Sequence, residues 1–424
     1  MRKMKDSGIE WIGEIPEDWE IIKTKHCYTT QKNVVGDKSD EYERLALTLQ
    51  GVIKRPKDDS TGLQPEAFNG YQILKENELV FKLIDLENVS TSRVGYSPYN
   101  GIVSPAYIVL TPRNYCESKY GYYYFISMWQ REIFNHIGDD GVRSSLNSSD
   151  LLNIPYLLVT NEEKNRIVCC LDRKCTEIDS VISKTKATIE EYKKLKQSVI
   201  TQAVTKGIIP NRPMKDSGIE WIGEIPQEWK ISKIKYVSDF QPICDTSHLN
   251  AESIITYTPM EYIKNGYYIE NTAIFSSVSS SLTPYCEGDI VIAKVTPCFE
   301  NGNIAIMNNL SSGFGMGSSE LFVLRAKNIK KEFLFYWLQN QNFIKIACST
   351  MTGTGGLKRV SPQFVRNSML CLPSKNEQQE IANYLDEKCS EIDKLIAKKE
   401  QLLTEMENYK KAVIYEYVTG KKEV

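Results

Sequence analysis

At 424 residues the chain is too long for one ordinary core and suits two domains of about 100 to 150 residues plus connecting elements. Hydrophobic residues at 41% and charged residues at 25% fit a soluble globular protein, and no apolar run approaches the roughly 18 residues a bilayer requires, which excludes disorder and a membrane-spanning helix. The formal net charge of −2 gives no bulk signal for a nucleic-acid partner, so any such partner would depend on local basic patches or companion subunits.

The opening Met1-Arg2-Lys3-Met4-Lys5-Asp6 leads into mixed polar sequence without the apolar stretch and cleavage site of a signal peptide. The 11 cysteines are odd in number and irregularly spaced, with no Cys-x-x-Cys pair and Cys169 next to Cys170. Reduced thiols, no metal site and a cytoplasmic location are expected.

Met4 to Pro16 (MKDSGIEWIGEIP) recurs letter for letter at Met214 to Pro226, an offset of 210, and the likeness runs on to Trp19 and Trp229. After the first copy comes a divergent block, in which Glu78-Leu-Val-Phe-Lys82 predicts a strand, as does Asp289-Ile-Val-Ile-Ala293 in the second half. Gly101 to Pro105 loosely matches Gly313 to Ser319. Aromatic segments Tyr120 to Ile137 and Glu332 to Ala347 predict helices, each followed by a glycine-containing loop with Arg143 or with Lys358 and Arg359.

Each half closes on a long helical pattern. Leu171 to Asp179 (LDRKCTEID) returns as Leu385 to Asp393 (LDEKCSEID), at an offset of 214. Steps of four and three from Leu171 reach Cys175, Ile178, Ile182, Thr185, Ile189, Tyr192, Lys196, Val199 and Ala203. The second copy reads Leu385, Cys389, Ile392, Ile396, Lys399, Leu403, Met406, Lys410, Val413 and Tyr417. A 3.5-residue period with charged flanks is the pattern of helices packed lengthwise. Gly207 with Pro210 and then Gly420 are the predicted stops. About 40 helical residues make a rod on the order of 60 Å. Duplicates in one chain pack most economically antiparallel about a pseudo-twofold axis, which puts Cys175 near Val413 rather than near Cys389.

The expected fold is therefore mixed α/β: two globular α/β domains separated by two long antiparallel coiled-coil helices, with internal pseudo-twofold duplication. The boundaries are 1–158 for the first globular domain, 159–208 for the central helix, 209–373 for the second globular domain and 374–424 for the distal helix. Helix-seam positions are Leu171, Ile178, Ile182, Ile189, Tyr192, Val199, Leu385, Ile392, Ile396, Leu403, Met406 and Val413.

Catalytic signatures are missing. There is no phosphate-cradling Gly-x-x-x-x-Gly-Lys-[Ser/Thr] loop, and Gly313 to Gly317 and Gly353 to Gly356 read as flexible loops. No Asn-Pro-Pro-[Tyr/Phe] stretch is present for gripping a flipped adenine. His26, His136 and His248 lack metal-ligand spacing, and the acid pairs Asp139-Asp140 and Glu190-Glu191 read as solvated surface. No catalytic residue is assigned.

The Gly-Ile-Glu-Trp-Ile-Gly-Glu-Ile-Pro-x-x-Trp segments at 8–19 and 218–229, and the Leu-Asp-x-Lys-x-x-Glu-Ile-Asp signatures, resemble the specificity subunits of type I restriction-modification systems over essentially the whole chain. The resemblance implies that each variable block is a target recognition domain reading half of a split, asymmetric site in double-stranded DNA. It implies that the helices set the gap and dock two methyltransferase subunits, with two motor-nuclease restriction subunits besides. S-adenosylmethionine, ATP and Mg belong on those partners; no cofactor is expected in this chain and no membrane. Bidentate Arg or Lys on guanine is the commonest direct readout. The DNA-contact candidates are accordingly Lys54, Arg55, Lys57, Arg93 and Arg143 in the first block and Lys294, Thr296, Lys358 and Arg359 in the second. Tyr96, Tyr99, Tyr267 and Tyr268 could stack on bases or simply pack. The alternatives are a duplicated coiled-coil scaffold without DNA specificity and a self-sufficient methyltransferase or nuclease, the latter opposed by the missing motifs.

Overall fold

The computed structural model describes residues 2–59, 65–84, 86, 92–137, 145–353 and 356–424. The chain forms two units, Met1–Lys186 with Gln401–Val424, and Ala187–Glu400. The division falls inside the two long helices, Asn161–Lys206 and Lys375–Val418, so each unit holds one variable block, the start of one helix and the end of the other.

Both long helices are free of glycine and proline along their full length. Acidic residues in the first turn, Glu162 and Glu163 in one and Glu377 in the other, suit the positive end of the helix dipole. Termination is by a left-handed residue, Gly207 at φ 76° and Gly420 at φ 71°, a conformation a side chain resists. A Cβ on Gly420 would lie 2.4 Å from Pro16, and one on Gly207 would lie 3.3 Å from Trp229, so the helix ends also close tightly against the constant segments.

Within the first unit Lys410 bonds Asp179 at 2.7 Å and Lys186 meets Glu407 at 3.5 Å, which fixes the two helix portions antiparallel. The second unit repeats the first of these as Lys196 on Asp393, also at 2.7 Å. Of the seam positions, Leu171, Ile178, Ile189, Leu385, Ile392 and Val413 are buried, with Cys175 and Val413 in one cluster. Ile182, Tyr192, Val199, Ile396, Leu403 and Met406 are half-buried, because two helices cannot enclose their own seam in mid-length.

The globular parts share a plan. In the first, a four-stranded antiparallel sheet runs in the order Tyr28–Thr29, Ile108–Pro112, Leu79–Phe81, Val94–Tyr96, with the helix Glu117–Gln130 beside it. In the second the order is Ser238–Phe240, Leu321–Ala326, Ile290–Ala293, Ile304–Ile306, with helices Lys331–Leu338 and Gln341–Ser349. The apolar runs Leu79–Phe81 and Ile290–Ala293 are buried throughout, which is why they lack alternation. A further strand after each constant hairpin, Glu20–Lys23 or Lys230–Lys233, pairs antiparallel with Pro155–Leu158 or Met369–Leu372 just before the long helix.

The stretch expected as a flexible loop at Gly313 to Gly317 is instead a fully buried strand, Phe314–Gly317, in a further four-stranded sheet of the second unit. A Cβ on Gly315 would fall 2.2 Å from the Tyr285 ring. Glycine there makes room for an aromatic side chain and does not loosen the backbone.

In the first unit Lys164 and Glu117, both almost fully buried, form an ion pair. Tyr156 donates to the same carboxylate at 2.8 Å, and Tyr28 donates to the Glu117 carbonyl at 2.6 Å. The second unit puts a neutral side chain at the duplicated helix position. Gln378 accepts from the Lys330 amide at 2.8 Å and donates to the Pro373 carbonyl at 2.9 Å.

Candidate nucleic-acid interface

In the second unit three loops converge on the candidates. Thr296 and Lys358 are stitched together: the Thr296 amide donates to the Lys358 carbonyl at 2.9 Å and the Lys358 amide to Thr296 Oγ1 at 3.0 Å. Thr296 Oγ1 in turn donates to the Gly356 carbonyl at 2.9 Å. The Val360 amide reaches the Lys294 carbonyl at 3.0 Å, so residues 294–296 and 356–360 form one platform. Arg359 grips Glu320 with two bonds of 2.8 and 2.9 Å. Lys294 donates to the Ser319 carbonyl at 2.7 Å and stands 3.9 Å from the same carboxylate. The Arg359 hydrogen bond, helped by the charge of Lys294 and opposed by partial burial, holds the Glu320 carboxyl below its usual range. The Lys358 side chain points to solvent.

The first unit assembles a different cluster. Lys54 ends the strand Gly51–Lys54, bonds Glu43 at 2.7 Å and lies over the Tyr99 ring at 5.3 Å. Its hydrogen bond to Glu43 raises its ammonium above the ordinary value. Arg55 pairs with Asp59 at 2.7 Å, and Lys57 donates to the Ser39 carbonyl at 2.7 Å. Arg93 is removed from the surface, because its side chain is fully buried. A guanidinium in that position cannot reach a base edge without unfolding its surroundings. Arg143, like Asp139 and Asp140, lies outside the described residues.

Tyr96 packs, its hydroxyl donating to Asn77 at 2.5 Å, and Tyr268 donates to the Asn308 carbonyl at 2.6 Å. Tyr267 is exposed. Sequence reasoning missed the acidic half of both clusters. Glu43 and Glu320 reach their basic partners only through strand pairing, and Asp59, four residues from Arg55, is too ordinary in type to be picked out. The solvent-exposed Lys54–Glu43 pair contributes little net stability, while Arg55–Asp59 and Arg359–Glu320 are partly withdrawn from solvent.

The helix portions carry a second kind of surface. Val181 and Tyr409 in the first unit are exposed, and so are Leu195 and Leu395 in the second. These are the same two positions of the duplicated helices, so each unit has one exposed apolar residue on each of its two helix portions.

Among the described residues, one trio has donor atoms close enough together for a metal: Cys244, Cys286 and Asp289, within 4.8 Å. Arg325 already holds Asp289 through bonds of 2.7 and 2.8 Å and lies 3.6 Å from Cys244 Sγ. Burial also pushes the Cys244 thiol up to about 12. The Arg325 cation already neutralises the Asp289 carboxylate that a metal ion would need.

Against known proteins, residues 226–405 match the family model described as the type I restriction modification DNA specificity domain. The type I restriction enzyme EcoAI specificity subunit of Escherichia coli is 32% identical over 195 residues, 45% of this chain, and the chain spans only 32% of that relative's length. The putative type I restriction enzyme MjaX specificity subunit of Methanocaldococcus jannaschii is 24% identical over 97% of this chain and 95% of its own. A chain solved in work on complex assembly and conformational transition of the type I R-M system shares the fold at a TM-score of 0.70 and 14% identity, over 96% of this chain and 99% of that one.

Proposed function

We propose that the chain is a specificity subunit of a type I restriction-modification system, non-catalytic itself, and that it reads an asymmetric, bipartite site in double-stranded DNA, one half-site per unit. The observation that carries this reading is duplication with divergence. An identical frame presents two different loop clusters, Lys54, Arg55 and Lys57 against Lys294, Thr296, Lys358 and Arg359. A symmetric target would need equal clusters; unequal ones suit unequal half-sites. The long helices set the unspecified gap by their length, at about 1.5 Å per residue.

Methyl transfer and cleavage belong to partner subunits in this reading: two methyltransferase subunits using S-adenosylmethionine and two restriction subunits using ATP and Mg. Exposed apolar side chains on the helix portions, Val181 and Tyr409 in the first unit and Leu195 and Leu395 in the second, support docking of a partner helix once per unit, since they leave apolar area to be covered.

The test is selection from a random duplex pool by the purified chain with its methyltransferase partner. An enriched motif in two unlike parts with a fixed gap is expected. A pool that emerges without any enriched motif overturns the proposal in favour of a scaffold. A matched one-heptad insertion in both helices should lengthen the gap and leave both half-sites unchanged.

A further inference from the structure

The sheets of the two globular blocks match strand for strand, and so do their ends. In the second unit the strand Ile290–Ala293 runs on into the platform, where Val295 bridges Arg359. In the first, Leu79–Phe81 runs on to Ile84, which bridges Ser145 in the same antiparallel sense. The end of the first sheet that answers to the platform is therefore the one beyond Phe81, where the Lys82 amide donates to the Arg93 carbonyl at 3.0 Å. The opposite end lies beyond Leu79, where the Ser97 amide donates to the Glu78 carbonyl at 2.9 Å.

A hairpin, Leu45–Thr48 paired with Gly51–Lys54, packs on the edge strand Val94–Tyr96 of that sheet. Its base lies at the Leu79 end: Leu45 pairs with Lys54, Lys54 lies over Tyr99, and the Ile102 amide donates to the Glu43 carbonyl at 2.9 Å. Its middle lies over Gly95, the partner of Val80, where a Cβ would fall 2.5 Å from Leu47 and 2.8 Å from Val52. The line from base to middle carries the tip, Leu49 and Gln50, on toward the Phe81 end. Lys54, with Arg55 and Lys57 following it, stays at the other. The tip is also held still. Thr48 Oγ1 accepts the Gln50 amide at 3.1 Å and donates to the Gly51 carbonyl at 3.0 Å, and Gly51 takes the left-handed φ of 98°. Leu49 is 63% exposed, and the exposed Gln50 side chain makes no hydrogen bond among the described residues. The three cations at the base are engaged, Lys54 with Glu43, Arg55 with Asp59 and Lys57 with the Ser39 carbonyl.

We infer that the first unit reads its half-site with this hairpin tip, Gln50 taking an adenine in the major groove and Leu49 the methyl group of a thymine, which limits Lys54, Arg55 and Lys57 to the sugar-phosphate backbone. A two-stranded ribbon fits the major groove, and a glutamine amide carries one donor and one acceptor to match N7 and the 6-amino group of adenine. A leucine beside it offers an apolar surface to the thymine methyl group. Duplicated blocks that use the same end of the same sheet bring unlike side chains to the bases, Thr296, Lys358 and Arg359 in the second unit and Leu49 and Gln50 in the first. This rests on the DNA reading above and adds the element of the first unit that enters the groove.

The experiment uses the full chain with its methyltransferase partner, first in selection from a random duplex pool and then in titration of the selected site and its single-base variants. In Gln50→Ala the preference for adenine at one position of one half-site should fall roughly tenfold or more, with the gap and the other half-site unchanged. Leu49→Ala should relax a thymine in the same half-site, and Lys54→Ala should leave every base preference as it is. An unaltered unfolding profile establishes that the variants are folded, as their exposed positions lead one to expect. A Gln50→Ala chain that keeps the wild-type preferences, or that binds all sequences more weakly by one factor, overturns the inference while leaving the DNA reading intact. So does a Lys54→Ala chain that loses a base preference. A wild-type pool without an enriched motif overturns the DNA reading and this inference with it.

Discussion

The two units solve one joint in the same way and one in opposite ways. In the first, Trp19 Nε1 donates to Glu163 at 3.1 Å and Arg2 bridges Asp18 and Glu163 while stacked on the tryptophan. In the second, Trp229 donates to Glu377 at 2.8 Å and Arg212 bridges Glu228 and Glu377 over that ring. Tyr123 on Asp172 and Tyr336 on Asp386, both at 2.7 Å, repeat the same correspondence. At the very next residue of each helix, after Glu163 or Glu377, the likeness fails, with the buried charges Lys164 and Glu117 in one unit and the neutral Gln378 in the other. Duplication has preserved the joint that places hairpin against helix and one tyrosine contact from each globular block, and has released the buried polar contact at Lys164 and Gln378. A block can therefore change without the frame changing.

The largest expected effect tests that difference. Lys164→Met keeps the side-chain volume but strands a buried carboxylate, and should destabilise the first unit by about 3–5 kcal/mol. Gln378→Met leaves one amide and one carbonyl without partners, for about 1–3 kcal/mol in the second unit. Hydrogen exchange resolved by residue assigns each loss to its unit. Equal losses, or a larger one from Gln378→Met, would break the contrast.

The shared joint makes the complementary prediction. Glu163→Ala and Glu377→Ala each remove the acceptor of a tryptophan and an arginine, at about 1.5–3 kcal/mol. The two losses should agree within about 0.5 kcal/mol, since the sites are separate and identically built. Chemical denaturation of each variant measures this. A difference of twice that size would mean that the duplicated joints are alike only in outline.

The same division explains what the amino-acid order disclosed. Letter-for-letter repetition, the 3.5-residue seam and the glycine stops are local patterns, and hairpins, helices and helix ends follow from them. The strands at Leu79–Phe81 and Ile290–Ala293 were legible as apolar runs. Buried charge was not. Lys164 and Arg93 look like surface residues in any window of sequence, and only the assembled core shows them enclosed. Phe314–Gly317 was misread because three glycines in five residues resemble a loop until Tyr285 is seen lying on them. At the candidate interface the basic residues of the second block were found by type and loop position, whereas Glu320 was not, because its role depends on a strand pairing that brings it beside residues 26 and 39 positions away.

The smallest effect concerns that carboxylate and asks whether the unlike clusters also behave unlike under acid. Glu320 is held below the usual carboxylate range chiefly by its hydrogen bonds from Arg359. A group depressed in the folded state contributes stability above its unfolded value and loses it as pH falls through the folded value. The platform formed by 294–296 and 356–360 should therefore loosen only below the ordinary carboxylate range. Arg359→Gln should move the Glu320 midpoint back upward, though not all the way, because Lys294 still stands 3.9 Å from it. Carboxyl-carbon NMR of the two chains reads the shift directly. A midpoint unmoved by Arg359→Gln would mean that Arg359 does not hold the carboxylate in solution. The arginine would then be open to an anionic ligand without first having to release Glu320.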